Sequence, residues 1–155
     1  MKRFSKSLLK SLSLLGISFC FTAEASASVV HVSRHPGSNL EKIAASLNAD
    51  LIKDSQLHNE KPRIFTASVH LSEAKTPALF VQIQSGRLCG ASGCSTSVYI
   101  LKNGKWNNIL DDVNGEISVL PERHKGMANL LVDGTDKWIW DGNRYIEQSA
   151  GANAS

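Results

Sequence analysis

The chain has 155 residues, 42% hydrophobic and 20% charged, with a formal net charge of +3. That size and apolar content suit one domain with its own core, and exclude a disordered or fibrous chain. The charge is uneven: of 17 basic and 14 acidic residues, four basic (Lys2, Arg3, Lys6, Lys10) and one acidic (Glu24) fall within the first 27, so the remainder is neutral and lacks the basic excess of a nucleic-acid binder.

Residues 1–27 have the layout of a secretory signal peptide. The four basic residues precede an apolar run, Leu12-Ser13-Leu14-Leu15-Gly16-Ile17-Ser18-Phe19-Cys20-Phe21, and Ala25-Ser26-Ala27 supplies a small-residue cleavage site. The apolar run is about half the roughly 20 residues a membrane-crossing helix needs. Phe19 before Cys20 does not fit a lipid-attachment site, so Cys20 is expected to leave with the signal peptide. Of three cysteines, Cys89 and Cys94 then remain, and an oxidising periplasm or exterior lets them join.

The segment 28–37 contains Val29-Val30-His31-Val32 and is expected to be an edge strand or a loose arm. His31 and His35 have helical metal-ligand spacing, but Pro36-Gly37 breaks any helix that would present both. Ser38-Asn39-Leu40-Glu41 is a capping box, and Leu40, Ile43, Ala44, Leu47 and Leu51 form one apolar stripe, which predicts a helix over 38–50. The polar stretch 53–62 reads as a loop.

From residue 63 the texture is strand and turn. Strands are expected at 64–71, 78–84, 97–102, 105–110, 116–120, 128–133, 137–140 and 144–147. Asn103-Gly104, Asn114-Gly115 and Asp141-Gly142 are hairpin signals, and 121–126 reads as a polar connection. Between the second and third strands lies Cys89-Gly90-Ala91-Ser92-Gly93-Cys94, a loop that a disulfide can close. Trp106, Trp138, Trp140 and Tyr99 are expected to make one sheet face aromatic-rich, turned toward the helix.

These elements predict an α+β fold: one N-terminal amphipathic helix packed on an antiparallel meander sheet of about six to eight short strands. The expected organisation is a signal peptide (1–27), an N-terminal arm (28–37), a single helix-plus-β-meander domain (38–149) and a disordered tail (150–155).

The sequence carries no G-x-S-x-G elbow, phosphate loop, dinucleotide fingerprint or H-E-x-x-H motif. Asp111-Asp112-Val113-Asn114-Gly115-Glu116 lacks the ligand alternation of a calcium loop. No catalytic residue, metal or cofactor is expected. His70, His124 and Asp133 are the polar residues from which an enzyme site would have to be assembled.

Pro77, Leu79-Phe80-Val81, the C-G-x-x-G-C loop, Asn103-Gly104-Lys105-Trp106 and the terminal Trp140-Asp141-Gly142 with Tyr145 resemble a loose set of small exported bacterial proteins that carry a disulfide-closed C-G-[ST]-G-G-C hairpin and have no agreed function. Many of those proteins have an acidic D-x-N-x-D-G segment before the proline. His70, Ser72, Ala74 and Lys75 stand at the matching positions, so the resemblance implies no calcium there. The signal peptide, the domain size and the C-x-x-x-x-C loop are also similar to periplasmic inhibitors of vertebrate lysozyme. Their loop carries a histidine that plugs the lysozyme active site, where this one holds Gly90, Ala91, Ser92 and Gly93.

The expectation is therefore a non-enzymatic periplasmic or secreted domain that binds an unknown protein or small ligand in the envelope, with no nucleic-acid partner and no membrane span after processing. The alternative is an inhibitor or immunity-type protein against a cell-wall hydrolase. The expected contact surface is Gly90, Ala91, Ser92 and Gly93, with Tyr99, Trp106 and Trp138. Intact-mass analysis of protein recovered from an oxidising compartment is expected to find Ser28 as the first residue and neither remaining thiol alkylatable.

Overall fold

The computed structural model describes residues 26–74 and 76–148. Residues 1–25 of the expected signal peptide, Cys20 among them, and the expected tail lie outside the described residues, as does Lys75.

Helix α1 (Asn39–Leu47) begins where the capping box places it. Ser38 Oγ accepts from Glu41 N–H at 3.1 Å, and the Glu41 carboxylate reaches back to Gly37 N–H. The apolar stripe ends sooner than predicted. At Asn48 the backbone leaves the helical region (φ −118°, ψ 27°), and a second helix, α2 (Ala49–Leu57), starts at once. The expected loop at 53–62 is thus helical over its first half. Asp54 and Ser55 favour turns and caps, and Ser55 is the one residue of the helix that is buried, so no apolar stripe marked the element.

The described residues hold ten strands, counting β1 (Ser28–Val29) before the helices: β2 (Arg63–Val69), β3 (Ala78–Gln84), β4 (Cys89–Gly90), β5 (Gly93–Lys102), β6 (Lys105–Asn114), β7 (Ile117–His124), β8 (Met127–Val132), β9 (Asp136–Trp140) and β10 (Tyr145–Glu147). Every pairing is antiparallel. One sheet runs β1-β7-β8-β9-β10. The other is a meander of β2, β3, β5 and β6, with short β4 hydrogen-bonded to the start of β5.

This corrects the expectation of an α+β domain with one helix on a single sheet. Strand makes up 50% of the structure and helix 15%, in two antiparallel sheets and two helices. The reason lies at residues 114–116. Asn103-Gly104 closes a two-residue hairpin, both residues at positive φ (54° and 74°), with Lys102 opposite Lys105. Asn114-Gly115 looks the same in sequence but is a corner: β6 pairs with β5, β7 pairs with β8 and β1, and the chain changes sheets between them. Residues 121–124 likewise continue β7, with Pro121 in a stretch of irregular pairing, and Lys125-Gly126 makes the turn instead.

The sheets pack face to face over Ala78, Phe80, Val98, Ile109, Leu110, Val113, Ile117, Leu130, Val132, Trp140 and Tyr145. Across the opposite face of the β2-β3-β5-β6 sheet lies α1, where Ala44 meets Leu79, Val81, Ile83 and Tyr99. The aromatic residues therefore do not share one helix-facing surface. Tyr99 and Trp106 lie beneath the helix, while Trp138, Trp140 and Tyr145 pack between the sheets.

Polar contacts lock both layers. Tyr99 Oη donates to Asn48 Oδ1 at 3.1 Å, and Asn48 Nδ2 donates to Ala44 O at 2.9 Å, so the break between the helices is tied to the sheet. Burial raises the Tyr99 phenol above its ordinary pKa. Tyr145 stacks edge-on against Trp140 with centroids 5.6 Å apart and donates to Ala128 O at 2.6 Å. The β9–β10 turn is organised by Asp141, whose Oδ1 accepts from Asn143 N–H and Arg144 N–H.

Two outcomes follow. Tyr99→Phe leaves the buried Asn48 carbonyl without its phenol donor and is expected to lower unfolding free energy by about 1–3 kcal/mol in urea melts. The turn amides of Arg144 and Asn143 hold the Asp141 carboxyl below its ordinary pKa. Its stabilising contribution is present above that pH and lost as pH falls through the lower folded-state value. The stability gap between wild type and Asp141→Ala is thus expected to be full near neutrality and to close on acidification.

A cleft beside the disulfide hairpin

Cys89 and Cys94 are bonded directly across β4 and β5, and Ala91-Ser92 forms the two-residue turn between Gly90 and Gly93. The ring stands on a braced base. Leu88 and Cys89 N–H both bond Ser85 O, and Ser95 N–H bonds Leu88 O. Helix α2 anchors that turn: Ser55 Oγ lies 3.3 Å from Ser85 Oγ, and Arg87 pairs with Asp54 at 3.7 Å. The second helix, unseen in the sequence, is thus what holds the expected loop in place.

On its other side the hairpin meets the sheet-to-sheet corner. Gly93 (φ 106°) lies so close to Gly115 that a Cβ on it would stand 3.2 Å from Gly115 N. A Cβ on Gly115 (φ 112°) would stand 2.9 Å from Asp133 Cβ. Disulfide hairpin, corner and β8–β9 turn are therefore stacked, and glycine is required at the contact.

Beside this stack opens a cleft of about 370 Å³. Its apolar lining is Phe80 with Val29, Val30, Val32 and Ile117; its polar lining includes His31, Gln82, Ser92, Thr96 and Glu116. Four chain segments distant in sequence supply these residues. One is a strap: β1 pairs with β7 at Ser28 and Val29, Val30 N–H bonds Ile117 O, and Ser33 then bridges to Thr66 of β2. The segment expected as an edge strand or loose arm thus ties the edges of both sheets together. Along the cleft wall Gln84 donates to Gln82, Gln82 donates to Thr96, and Thr96 Oγ1 donates to Cys94 O, a chain of hydrogen bonds ending at the disulfide.

The expected contact residues do not form one surface. Gly90, Ala91 and Ser92 are exposed at the hairpin tip, with Gly93 half-buried behind them. Tyr99 is only 5% exposed and lies under α1, so it is not a contact residue: its phenol is needed to tie the helices to the sheet. Trp106 and Trp138 are half-buried and apart: Trp106 of β6 packs with the core under α1, and Trp138 of β9 with the core between the sheets. Sequence reading missed His31, Gln82, Thr96 and Glu116 as neighbours of the loop, because only the two-sheet topology brings them there.

Other polar residues have structural employment. Asp111 and Asp112 oppose Ser97 in a β-bulge of β5–β6. Ser97 Oγ donates to Asp111 at 3.0 Å and accepts from Asp112 N–H at 3.3 Å, filling the gap that the bulge opens. Ser95 Oγ donates to Asp112. His124 and Asp133 lie beyond opposite ends of β8, roughly 20 Å of strand apart, and do not join His70 in one site.

Comparison of the chain with protein-family models, with curated proteins and with solved structures returns no match in any of the three. No helix among the described residues is long and apolar enough to cross a membrane.

Replacing Cys89 and Cys94 together by Ser is expected to cost about 2 kcal/mol, the closure entropy of so small a ring. Hydrogen exchange should show the loss locally: protection of the Ser95 amide falls, while the β3 amides stay slow.

Proposed function

We propose that this is an exported, non-enzymatic domain that binds its partner through the cleft beside the Cys89–Cys94 hairpin. The observation that carries the reading is the cleft's construction. An apolar floor sits under a polar rim, and one wall is covalently closed and cross-braced by α2 and by the Gly93–Gly115 contact. Rigid concave sites with a few placed polar groups bind with little ordering cost. The dimensions suit a small amphipathic molecule or one bulky apolar side chain presented by a protein.

A periplasmic or secreted location supports this reading and is supported by the disulfide, since such bonds persist in oxidising compartments. A binding role is favoured over catalysis because Gln82 and Thr96 of the wall are spent on a chain of hydrogen bonds from Gln84 through to Cys94 O.

The test is a two-dimensional NMR screen of the oxidised protein against amphipathic aromatic fragments, run beside a Ser92→Trp variant whose indole fills the cleft mouth. Fragments are expected to shift the amides of Val30, Thr96 and Glu116 in wild type and to leave the variant unmoved. Shifts confined to other surfaces, or equal in both proteins, contradict the proposal.

A further inference from the structure

A second cavity, of about 530 Å³, shares Val29, Val30 and His31 of the strap with the cleft and is otherwise lined by different residues. Every titratable side chain lining it is a histidine: His31 and His35 beside the Ser33 bridge, and His70 just past β2. No helix presents His31 and His35 together, but the strap brings both to one cavity and the end of β2 adds the third. No carboxylate, lysine or arginine lines it. On the surrounding elements, Glu41 of α1 accepts from Gly37 N–H and Glu122 of β7 pairs with Lys137. Arg123 is held by Leu71 O and Glu73. The other charged side chains of these elements, Arg34 before α1, Lys42 of α1 and Arg63 of β2, are cations, and His124 ends β7. Ser33, Thr66 and Ser68 line the cavity with hydroxyls that no other described group engages, unlike the cleft, where Gln82 and Thr96 are spent. Leu40 of α1, Val69 of β2 and Val119 of β7 supply the apolar part.

We infer that this cavity binds a small organic anion, a carboxylate on an unbranched apolar chain, and holds it more tightly as pH falls. Imidazole is the ordinary side chain that gains a positive charge between about pH 8 and pH 5. Three imidazoles with no carboxylate among them become an anion site on acidification. Charge-assisted hydrogen bonds to a carboxylate are the strong ones. The three histidines are not placed to hold one metal ion, so a shared cation does not explain them. An inorganic anion would leave Leu40, Val69 and Val119 unused, and a neutral apolar molecule would leave the imidazoles unused. The volume falls within the range of small-molecule sites. The inference does not rest on the cleft: its ligand answers to different residues.

Octanoate is the probe, titrated into the oxidised protein and followed by two-dimensional NMR at about pH 5.5 and about pH 8, on either side of the imidazole range. It is expected to shift the amides of Ser33, Ser68 and His70 and to bind about tenfold tighter at the lower pH, the effect of one charge-assisted hydrogen bond. Octanol and inorganic phosphate are each expected to bind more weakly than octanoate at the lower pH. Because the anion favours the protonated rings, saturating octanoate is expected to raise the titration midpoints of the His35 and His70 ring signals. The double variant His35→Asn with His70→Asn, checked for folding by circular dichroism, is expected to lose most of the pH dependence. Octanoate affinity that is equal at both pH values, octanol or phosphate that binds as tightly, ring midpoints that do not move, or a pH dependence unchanged in the double variant overturns the inference. So do shifts confined to Thr96 and Glu116, which would assign octanoate to the cleft.

Discussion

The structure depends on one sheet being buried from both sides. The β2-β3-β5-β6 sheet lies between the helices and the second sheet, and β3 is its centre: Phe80 faces the other sheet, while Leu79, Val81 and Ile83 face α1. Burying each such side chain is worth about 1.5–3 kcal/mol. This wall belongs to two cores, and loosening it loosens both. The Tyr99–Asn48 bond fastens one layer to it and the Tyr145–Ala128 bond stiffens the other. The disulfide is a local device set on that frame.

Much of this was legible where the signal is local. Ser38 and Glu41 cap α1 as their spacing requires, Asn103-Gly104 makes its hairpin, and Cys89 and Cys94 are joined. What was hidden is non-local. Leu79-Phe80-Val81 reads as an apolar strand, but an unbroken apolar run does not say what covers its second face. Asn114-Gly115 carries the same letters as Asn103-Gly104, yet the contact that makes it a corner is with Asp133, far along the chain. Helix α2 was lost because its main attachments, Ser55 to Ser85 and Asp54 to Arg87, are polar and distant in sequence.

The candidate site was half legible for the same reason. Paired cysteines and flanking glycines announce a pinned loop from sequence alone. Which residues face it follows from how the sheets stack and where the strap crosses them. The strap matters most here: by pairing with β7 and then β2, it places Val30 and His31 at the cleft and closes one open side of the sandwich. The expected aromatic contact residues serve the cores instead, Tyr99 most completely.

Residue-resolved native-state hydrogen exchange tests the shared-wall claim most directly. The account predicts that the amides of residues 79–81 exchange only through global unfolding. It also predicts that Leu79→Ala, a truncation on the helix side, lowers protection in β8 of the opposite sheet by the same free energy. Early exchange in β3, or a β8 whose protection is untouched by that truncation, would contradict it.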